Sequence, residues 1–264
     1  MLTKSHGLGN DYLVADPAEL PFSVTPELVR LLCDRHEGVG SDGLLVLEPD
    51  LGVRIFNPDG SEAEKSGNGL RIFARWLYDT RRVSSRQFCI ATRSGAAAVE
   101  VHGRAVTVDM GVPVFRDDLS VLEVGSERLS VVALSIGNPH CVVFRDQLDV
   151  TELRRLGPLM EHHPAFPNRT NVQLARVTSR KQVELLIWER GAGETRASGS
   201  STCAVVAAAS HLGHVDTEVL ANMPGGQLSV RIAPDGSLWL TGPVEEVGRI
   251  TLSAELIDRL QALP

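Results

Sequence analysis

The chain has 264 residues, 43% of them apolar and 22% charged, which is enough for one large domain or two of ordinary size. Its net charge of −7 argues against nucleic acid as a partner, because there is no basic excess to neutralise phosphates. No apolar run approaches the roughly 20 residues of a membrane span, and the first residues lack the apolar core of a secretory signal. We therefore expect a cytoplasmic protein with no membrane partner.

The four cysteines are scattered along the chain and show no spacing typical of metal ligands. They are Cys33, Cys89, Cys141 and Cys203. In a reducing compartment such residues are usually buried thiols, so we expect neither disulfides nor a metal site.

The first recognisable element is a turn that opens into a strand. Gly9-Asn10 precedes an apolar run ending at Val14, and Gly137-Asn138 precedes a similar run 128 residues later. A Gly-Asn step forms a positive-φ turn easily, so each alone predicts only a loop between strands. The recurrence favours a functional or duplicated feature.

The next segment predicts a short helix over Pro26–Arg35, a tight glycine-rich loop over Gly38–Gly43 and a strand over Leu44–Leu47. The loop resembles a phosphate cradle only superficially, because no Lys-Ser or Lys-Thr pair follows it. Nucleotide binding is not indicated.

A polar, glycine-rich stretch then appears twice in the chain. Residues 56–69 (FNPDGSEAEKSGNG) and 188–201 (WERGAGETRASGSS) match at an offset of 132 residues. Ser66 corresponds to Ser198, and each stretch lies between two apolar runs. Both copies predict a strand, a loop and a buried helix, with the helices over 70–80 and 202–212.

The strands predicted over 88–92, 96–101 and 105–110 also recur in part, near residues 225–232 and 238–242. Three blocks repeated in one order predict a duplicated domain of about 130 residues. We expect an α/β (α+β) fold of two similar domains, residues 1–112 plus 249–264 and residues 113–248. The last segment has apolar residues at helical spacing, which suits packing on the first half or a dimer contact equally.

Ser66 and Ser198 would each stand at a helix N-terminus, where backbone N–H groups and a partial positive charge can bind a carboxylate. Two such ends, one per half, could hold an anionic molecule from opposite sides. Ordinary N-caps would account for both serines as well.

Other polar residues in and near the repeated loops suit an amino-acid ligand. Amides can donate and accept, an arginine can hold a carboxylate through two bonds, and a glutamate can hold an ammonium group. Taken singly, each is also typical of a turn or a surface. The residues are Asn10, Asn57, Asn138, Asn171, Glu189 and Arg190.

Over nearly its whole length the chain resembles the diaminopimelate epimerase family. Seven stretches carry the resemblance: 4–11, 38–42, 56–69, 137–140, 168–172, 189–199 and 242–243. The runs Asp59–Glu62 (DGSE) and Glu189–Thr195 (ERGAGET) are its most specific parts.

The resemblance implies two halves, each a curved mixed sheet around a central helix, and a homodimer that uses neither pyridoxal phosphate nor metal. It implies inversion of an amino-acid α-carbon by two opposed acid/base groups, at the positions of Ser66 and Ser198. Gly67, Asn68, Gly199 and Ser200 would line the α-carboxylate. Asn57, Asn171, Arg190 and the Glu189 region would hold the distal end, while His140 and Glu189 would adjust acidity.

The chain departs from the family pattern at the reacting groups, because serines occupy both cysteine positions. A thiol ionises near pH 8.5, and a gap of about 5 pKa units to an alcohol corresponds to roughly 7 kcal/mol, or about 10⁵ in rate. Lys65, next to Ser66, could act as a base or be a solvated surface residue.

Three functions are therefore considered. The first is an epimerase or racemase interconverting LL- and meso-diaminopimelate for lysine and cell-wall precursors. The second is a catalytically impaired binding protein that keeps the pocket. The third is a different isomerase or lyase that needs one base, such as His140 or Glu189.

Overall fold

The computed structural model describes residues 1–263, which form 20 β-strands and five α-helices. The first ten strands are β1 Leu2–Gly7, β2 Asn10–Ala15, β3 Leu44–Glu48, β4 Gly52–Phe56, β5 Glu62–Ala63, β6 Gln87–Thr92, β7 Gly95–His102, β8 Ala105–Asp109, β9 Val114–Phe115 and β10 Val121–Val124. The others are β11 Glu127–Ser130, β12 Val132–Ser135, β13 Pro139–Phe144, β14 Asn171–Ser179, β15 Gln182–Glu189, β16 Gly193–Thr195, β17 Glu218–Met223, β18 Gly226–Ile232, β19 Leu238–Pro243 and β20 Glu245–Ile250. The helices are α1 Pro26–Cys33, α2 Gly67–Asp79, α3 Val150–Glu161, α4 Gly199–His211 and α5 Ala254–Gln261.

The chain divides into two compact units. Unit 1 contains Met1–Val108 and the segment that starts at Pro243, and unit 2 contains Asp109–Gly242. The chain returns to unit 1 at Pro243, about six residues before the predicted boundary at residue 249. The physical reason is that β20 pairs antiparallel with β1, from Leu2 opposite Ile250 to His6 opposite Glu245.

Unit 1 is built on a mixed sheet in the order β20-β1-β2-β3-β4-β6-β7-β8, with β5 as a short partner of β4. The β2–β3 and β4–β6 pairs are parallel, and the other pairs are antiparallel.

Unit 2 repeats this arrangement in the order β9-β12-β13-β14-β15-β17-β18-β19, with β16 beside β15. Again only two pairs, β13–β14 and β15–β17, are parallel among the residues described. Leu13 lies opposite Leu44 in unit 1, and Cys141 lies opposite Val172 in unit 2. The predicted duplication and the α+β class are confirmed, because the equivalent pairs preserve the 128-residue offset.

One helix in each unit lies at the centre of its sheet. α2 packs against β1, β2 and β7, while α4 packs against β12 to β15 and also against β17 and β18. Contacts with strands far apart in the sheet order require each sheet to curve around its helix. Ten of the thirteen residues are buried in each helix, which is typical of a helix surrounded by its own domain.

The strands and helices predicted up to residue 110, and the two central helices, are confirmed within about three residues at each end. α1 ends at Cys33 rather than Arg35, because Asp34 adopts an extended conformation and caps the helix. The described helices include none long and apolar enough to cross a membrane.

The last segment packs on unit 1. Leu260 of α5 is 3% exposed and belongs to a core cluster with Leu28 and Leu32 of α1. Arg259 pairs with Glu37 at 2.8 Å, and Gln261 donates to the carbonyl of Pro21. Pro264, the final residue of that predicted segment, lies outside the described residues.

The sequence pattern does not predict α3. This helix contains Gly157 and Pro158 near its end, and both residues weaken helices in isolation. A Cβ at Gly157 would lie 2.6 Å from two indole carbons of Trp188. The glycine is therefore required by close packing of α3 on β15.

Candidate functional site

Ser66 is the N-cap of α2. Its backbone is extended, and its Oγ accepts a hydrogen bond from the Gly69 amide at 3.0 Å. The Oγ also lies 3.2 Å from the phenolic oxygen of Tyr12, which comes from β2. The first carbonyl–amide bond of the helix runs from Leu70 N–H to the Ser66 carbonyl. The Gly67 and Asn68 amides therefore have no intrahelical acceptor.

Asn10 and Asn68 lie together beside this helix end. The Asn68 amide nitrogen donates to Asn10 Oδ1 at 2.9 Å, and its Oδ1 accepts from the fully buried Arg71 at 2.7 Å. Arg71 also donates to the Gly67 carbonyl. A Cβ on Gly7 would lie 2.9 Å from Arg71 Nη2, so that glycine admits the guanidinium.

A network of charges fixes the loop that carries Asn10. Asp11 accepts from Arg35 at 2.7 Å and lies 3.0 Å from Lys4 Nζ. Asp42 accepts from the Asn10 side chain and the Asp11 amide, and it pairs with Arg35. Burial opposes ionisation of Asp11, but hydrogen bonds from Arg35 and Lys4 outweigh it and lower its pKa. The anchored carboxylates hold Asn10 in place.

Asn57 begins the first repeated loop. Its Nδ2 donates to Ser61 Oγ at 3.0 Å, and its amide donates to the Ser61 carbonyl. Gly60 completes the turn with a φ of 84° and donates to the Asn57 carbonyl. Asn57 thus shapes its loop.

Ser198 is the N-cap of α4 and is 4% exposed. Its Oγ accepts from the Ser201 amide at 3.5 Å, a longer bond than the equivalent one at Ser66. Thr202 Oγ1 donates to the Ser198 carbonyl at 2.7 Å. Gly199 and Ser200 form the first residues of α4, as Gly67 and Asn68 do in α2.

His140 is fully buried and lies in a chain of side chains that reaches α4. The Gln173 amide nitrogen lies 3.1 Å from His140 Nδ1 and 3.0 Å from Ser201 Oγ. Because that nitrogen only donates, Nδ1 accepts, and Nε2 carries the proton donated to Asn138 Oδ1 at 2.9 Å. Burial, with the charge of Arg190, lowers the pKa of His140 to about 3, so the ring is neutral.

Asn171 connects that strand end to the second repeated loop. Its Nδ2 donates to the Pro139 carbonyl at 2.8 Å, and its Oδ1 accepts from the Arg190 amide at 3.0 Å. Arg190 is exposed, and its guanidinium donates to the Asn168 carbonyl at 3.2 Å. Glu189, at the end of β15, is half-buried.

Glu161 is a buried carboxylate that the sequence analysis missed. It ends α3, is 4% exposed, and accepts from Trp188 Nε1 at 2.8 Å and from the Gly191 amide at 2.9 Å. Arg169 lies 3.2 Å away. Burial opposes its ionisation, but the bonds from Trp188 and Gly191 outweigh it and lower the pKa of the carboxyl. Glu161 therefore fixes the loop of Arg190.

The two central helix ends share an electrostatic feature. The first turns of α1, α3 and α5 each contain a glutamate, whereas those of α2 and α4 contain no acidic residue. The partial positive charge at the N-termini of α2 and α4 is therefore not offset by an acidic residue in the first turn. Both helix ends are suited to binding a carboxylate.

Three of the four cysteines, Cys33, Cys141 and Cys203, are buried. The four form no disulfide within residues 1–263. Burial raises the pKa of Cys33 and of Cys141. Cys89 was expected to be buried but is exposed. Side chains of β6 point alternately to the two faces of the sheet, and the neighbouring Ile90 faces the core. The same described residues contain no group of three His, Cys, Asp or Glu side chains placed to hold a metal ion.

The predicted site residues of unit 1 that lie together are Asn10, Ser66, Gly67 and Asn68. In unit 2, hydrogen bonds connect Asn138 with His140, and Asn171 with Arg190. Ser198 lies at the end of the chain of side chains formed by Gln173 and Ser201. Three other residues were missed: Tyr12, Glu161 and Gln173. For Tyr12 the sequence offered one indication, since the 128-residue offset aligns it with His140.

Comparison with known proteins gives consistent matches. The family model described as diaminopimelate epimerase matches residues 2–116 and 132–247. "Diaminopimelate epimerase 2" of Nostoc sp. is 43% identical, covering 96% of this chain and 95% of its own length. Diaminopimelate epimerase of Azotobacter vinelandii is 41% identical, with 93% and 96% covered.

A solved structure shares the fold. Hydroxyproline epimerase from Agrobacterium vitis, with bound trans-4-hydroxy-L-proline, superposes with a TM-score of 0.71. It covers 94% of this chain and 90% of its own, at 16% identity. At that identity the likeness concerns architecture alone.

Proposed function

The chain belongs to the diaminopimelate epimerase family, and we propose that it interconverts LL- and meso-diaminopimelate without pyridoxal phosphate or metal. The observation that carries the proposal is the matched pair of serine-capped helix ends, each with no acidic residue in its first turn. Ends of this kind attract the α-carboxylate of an amino acid.

In the proposed reaction, Ser66 and Ser198 exchange protons with the α-carbon of the substrate. The amides of Gly67 and Asn68, and those of Gly199 and Ser200, bind its α-carboxylate. Negative charge on the carbanion then develops next to aligned N–H dipoles, which stabilise it more than the ground state.

The distal amino-acid end needs groups that recognise both a carboxylate and an ammonium. We assign this role to Asn57, Asn171, Arg190 and Glu189. Arg190 is exposed and can offer its guanidinium fork to a carboxylate. Its loop is held by Asn171 and Glu161, so the arginine starts from a fixed backbone.

The serines set the energetic demand on this chemistry. The pKa of a serine hydroxyl is about 5 units above that of a cysteine thiol, so ionising the hydroxyl costs roughly 7 kcal/mol more. A helix end returns only ~0.3–2 kcal/mol. The enzyme is therefore expected to be slow unless another group lowers the cost of moving the serine proton.

The geometry disfavours a lyase that uses His140 as its only base. The ring is fully buried, and both of its nitrogens are engaged, by Asn138 and Gln173. Its proposed role is indirect: it holds Gln173, which holds Ser201 beside Ser198.

The decisive experiment is incubation with LL- and meso-diaminopimelate in deuterated water, followed by proton NMR and chiral chromatography. Deuterium entering the α-position with inversion supports epimerisation. Thermal stabilisation by the ligand without exchange indicates a binding protein, and ammonia release or a shifted double bond indicates a lyase or another isomerase. Either result would refute the proposal.

Variants assign the proton carriers. Ser66→Ala and Ser198→Ala should each reduce turnover at least 100-fold, and Ser66→Cys with Ser198→Cys should raise it. The matched control is Ser253→Ala. Ser253 caps α5 in the same way, because its Oγ accepts a hydrogen bond from the amide of Leu256, three residues further along the chain. It should cost about 1 kcal/mol of stability and leave turnover unchanged.

We further place this activity in the cytoplasm, in the supply of lysine and cell-wall precursors, and in a homodimer. The family resemblance supports these parts of the proposal. Sedimentation velocity tests the oligomeric state, and a monomer at micromolar concentration that retains full activity would rule out the dimer as the working form.

A further inference from the structure

The phenol of Tyr12 is built into the end of α2. Tyr12 is 6% exposed, and its hydroxyl lies 3.2 Å from Ser66 Oγ. A Cβ at Gly43 would lie 2.6 Å from the Tyr12 ring and 2.4 Å from the Phe56 carbonyl oxygen. The glycine therefore leaves room for the ring, whose position directs the hydroxyl to Ser66.

Tyr12 also occupies the position that His140 occupies in the other repeat. The residue after each one pairs in parallel with the equivalent strand, Leu13 with Leu44 and Cys141 with Val172. Both units thus place a titratable ring at the start of the same strand, next to the central helix.

The two rings reach their helix ends differently. In unit 2, Gln173 and Ser201 lie between His140 and the cap. Their equivalents in unit 1 are Leu45 and Gly69, at the same offsets of 128 and 132 residues. Neither offers a polar side chain, and the phenol contacts the cap serine directly.

We propose that Tyr12 is the proton-relay partner of Ser66. The inference rests on the proposed epimerase function. When Ser66 Oγ takes the proton from the substrate α-carbon, the serine O–H bond breaks and its proton passes to the Tyr12 phenolate. The C–H electron pair stays on the α-carbon. In the reverse direction Ser66 gives its proton to the carbanion while the Tyr12 hydroxyl reprotonates the serine oxygen.

The chemistry favours a phenol over an isolated alcohol for this task. A free tyrosine ionises near pH 10, whereas an aliphatic hydroxyl is a far weaker acid. At pH 7 about one phenol in 10³ is ionised, and the ionised fraction of an alcohol is smaller by several orders of magnitude. The Tyr12–Ser66 pair thus supplies a base without requiring a serine alkoxide.

Charged and titratable groups lie on the strands beside Tyr12, on α2 and in the nearby loops. They are Lys4 and His6 of β1, Asp11 beside it, Glu48 of β3, Arg35 and Asp42 around the loop before β3, Lys65 before Ser66, and Arg71, Arg75 and Asp79 of α2. Lys4, Asp11, Arg35 and Asp42 are joined in one network of ion pairs. None of the variants below changes a member of this network.

The first test reads the phenol directly, without turnover. The chain contains two tyrosines, Tyr12 and Tyr78, so Tyr78→Phe leaves Tyr12 as the only phenol that absorbs near 295 nm on ionisation. Adding Ser66→Ala should raise the titration midpoint by about one to two pH units, because the serine no longer donates to the phenolate. Adding Ser198→Ala instead should leave it unchanged. Equal midpoints in both variants would overturn the proposal.

The second test is kinetic. Tyr12→Phe keeps the ring beside Gly43 and removes only the hydroxyl. It should lower kcat about 100-fold with KM within about twofold, and abolish the rise of kcat with pH on the alkaline side. Tyr78→Phe is the matched control and should match the parent enzyme. A Tyr12→Phe variant with the parent pH profile would refute the relay.

A cysteine background separates relay from packing. In the Ser66→Cys variant a thiol ionises without help, so adding Tyr12→Phe should cost less than about tenfold in kcat. A loss as large as in the serine enzyme would instead indicate a structural role for the hydroxyl. If the protein shows no epimerisation at all, the proposed function fails, and the 295 nm titration still decides whether Tyr12 and Ser66 are coupled.

Discussion

The buried carboxylate of Glu161 offers a quantitative test of how the Arg190 loop is held. In the parent protein the two carboxylate oxygens of Glu161 accept from the Trp188 and Gly191 N–H groups, one each. Glu161→Gln retains the shape of the side chain but keeps only one of these two acceptor oxygens. One donor then faces the glutamine NH₂ group. Losing a hydrogen bond to a charge costs about 1.5–3 kcal/mol, and an unpaired buried N–H costs about 1–3 kcal/mol. Allowing for relaxation, we expect a loss of about 2–4 kcal/mol in the free energy of unfolding.

The assay is urea unfolding combined with steady-state kinetics. KM for diaminopimelate should rise more than kcat falls, because the loop that carries Arg190 loses an anchor. Trp188→Phe removes the indole N–H that Glu161→Gln leaves without an acceptor. The loss in the free energy of unfolding of the double variant should therefore be smaller, by at least about 1 kcal/mol, than the sum of the two single losses. Additive losses and an unchanged KM would refute this account of the loop.

The pH dependence has a definite sign. Because the pKa of Glu161 is lowered in the folded protein, its contribution to stability is present above the unfolded value, near 4.3. It disappears as the pH falls through the lowered folded value. The stability gap between the parent and Glu161→Gln should therefore narrow below about pH 4, and a gap that widens there would contradict the assignment.

Two further predictions concern unit 2. Gly157→Ala places a methyl group 2.6 Å from the Trp188 indole and should cost about 1–3 kcal/mol; a melting temperature within about 1 °C of the parent would contradict the packing. His140 has a pKa of about 3 in the folded protein, so its ring signals should not titrate in NMR between pH 8 and 5. Because the unfolded chain binds that proton near pH 6.5, stability from the buried neutral ring is complete above this value. Below pH 6.5 the free energy of unfolding should fall by about 1.4 kcal/mol for each pH unit. This fall should be larger in the parent protein than in the His140→Gln variant.

The repeat was readable from the sequence because polar loops and turns keep their spacing when a domain is duplicated. Ser66 and Ser198 follow equivalent strands and cap equivalent helices, and a serine before an apolar run is itself a start signal for a helix. The offset alone was enough to place both caps and the glycines that follow them.

Helix α3 shows where local patterns fail. Gly157 and Pro158 argue against a helix on intrinsic propensity, yet the tertiary structure uses the glycine to admit Trp188. Packing energy from a residue 31 positions away outweighs the local preference. A rule based on neighbours along the chain contains no information about that contact.

The sequence by itself determined the duplication, the two capped helix ends and the identity of the polar residues in their loops, because each depends on spacing within a short stretch. Only the tertiary structure decided that Tyr12 meets Ser66 across 54 residues, that Glu161 holds Gly191 across 30, and that α5 packs on unit 1. Those contacts depend on which strands pair and on which side chains fill the space between them, and strand pairing is a property of the whole folded unit.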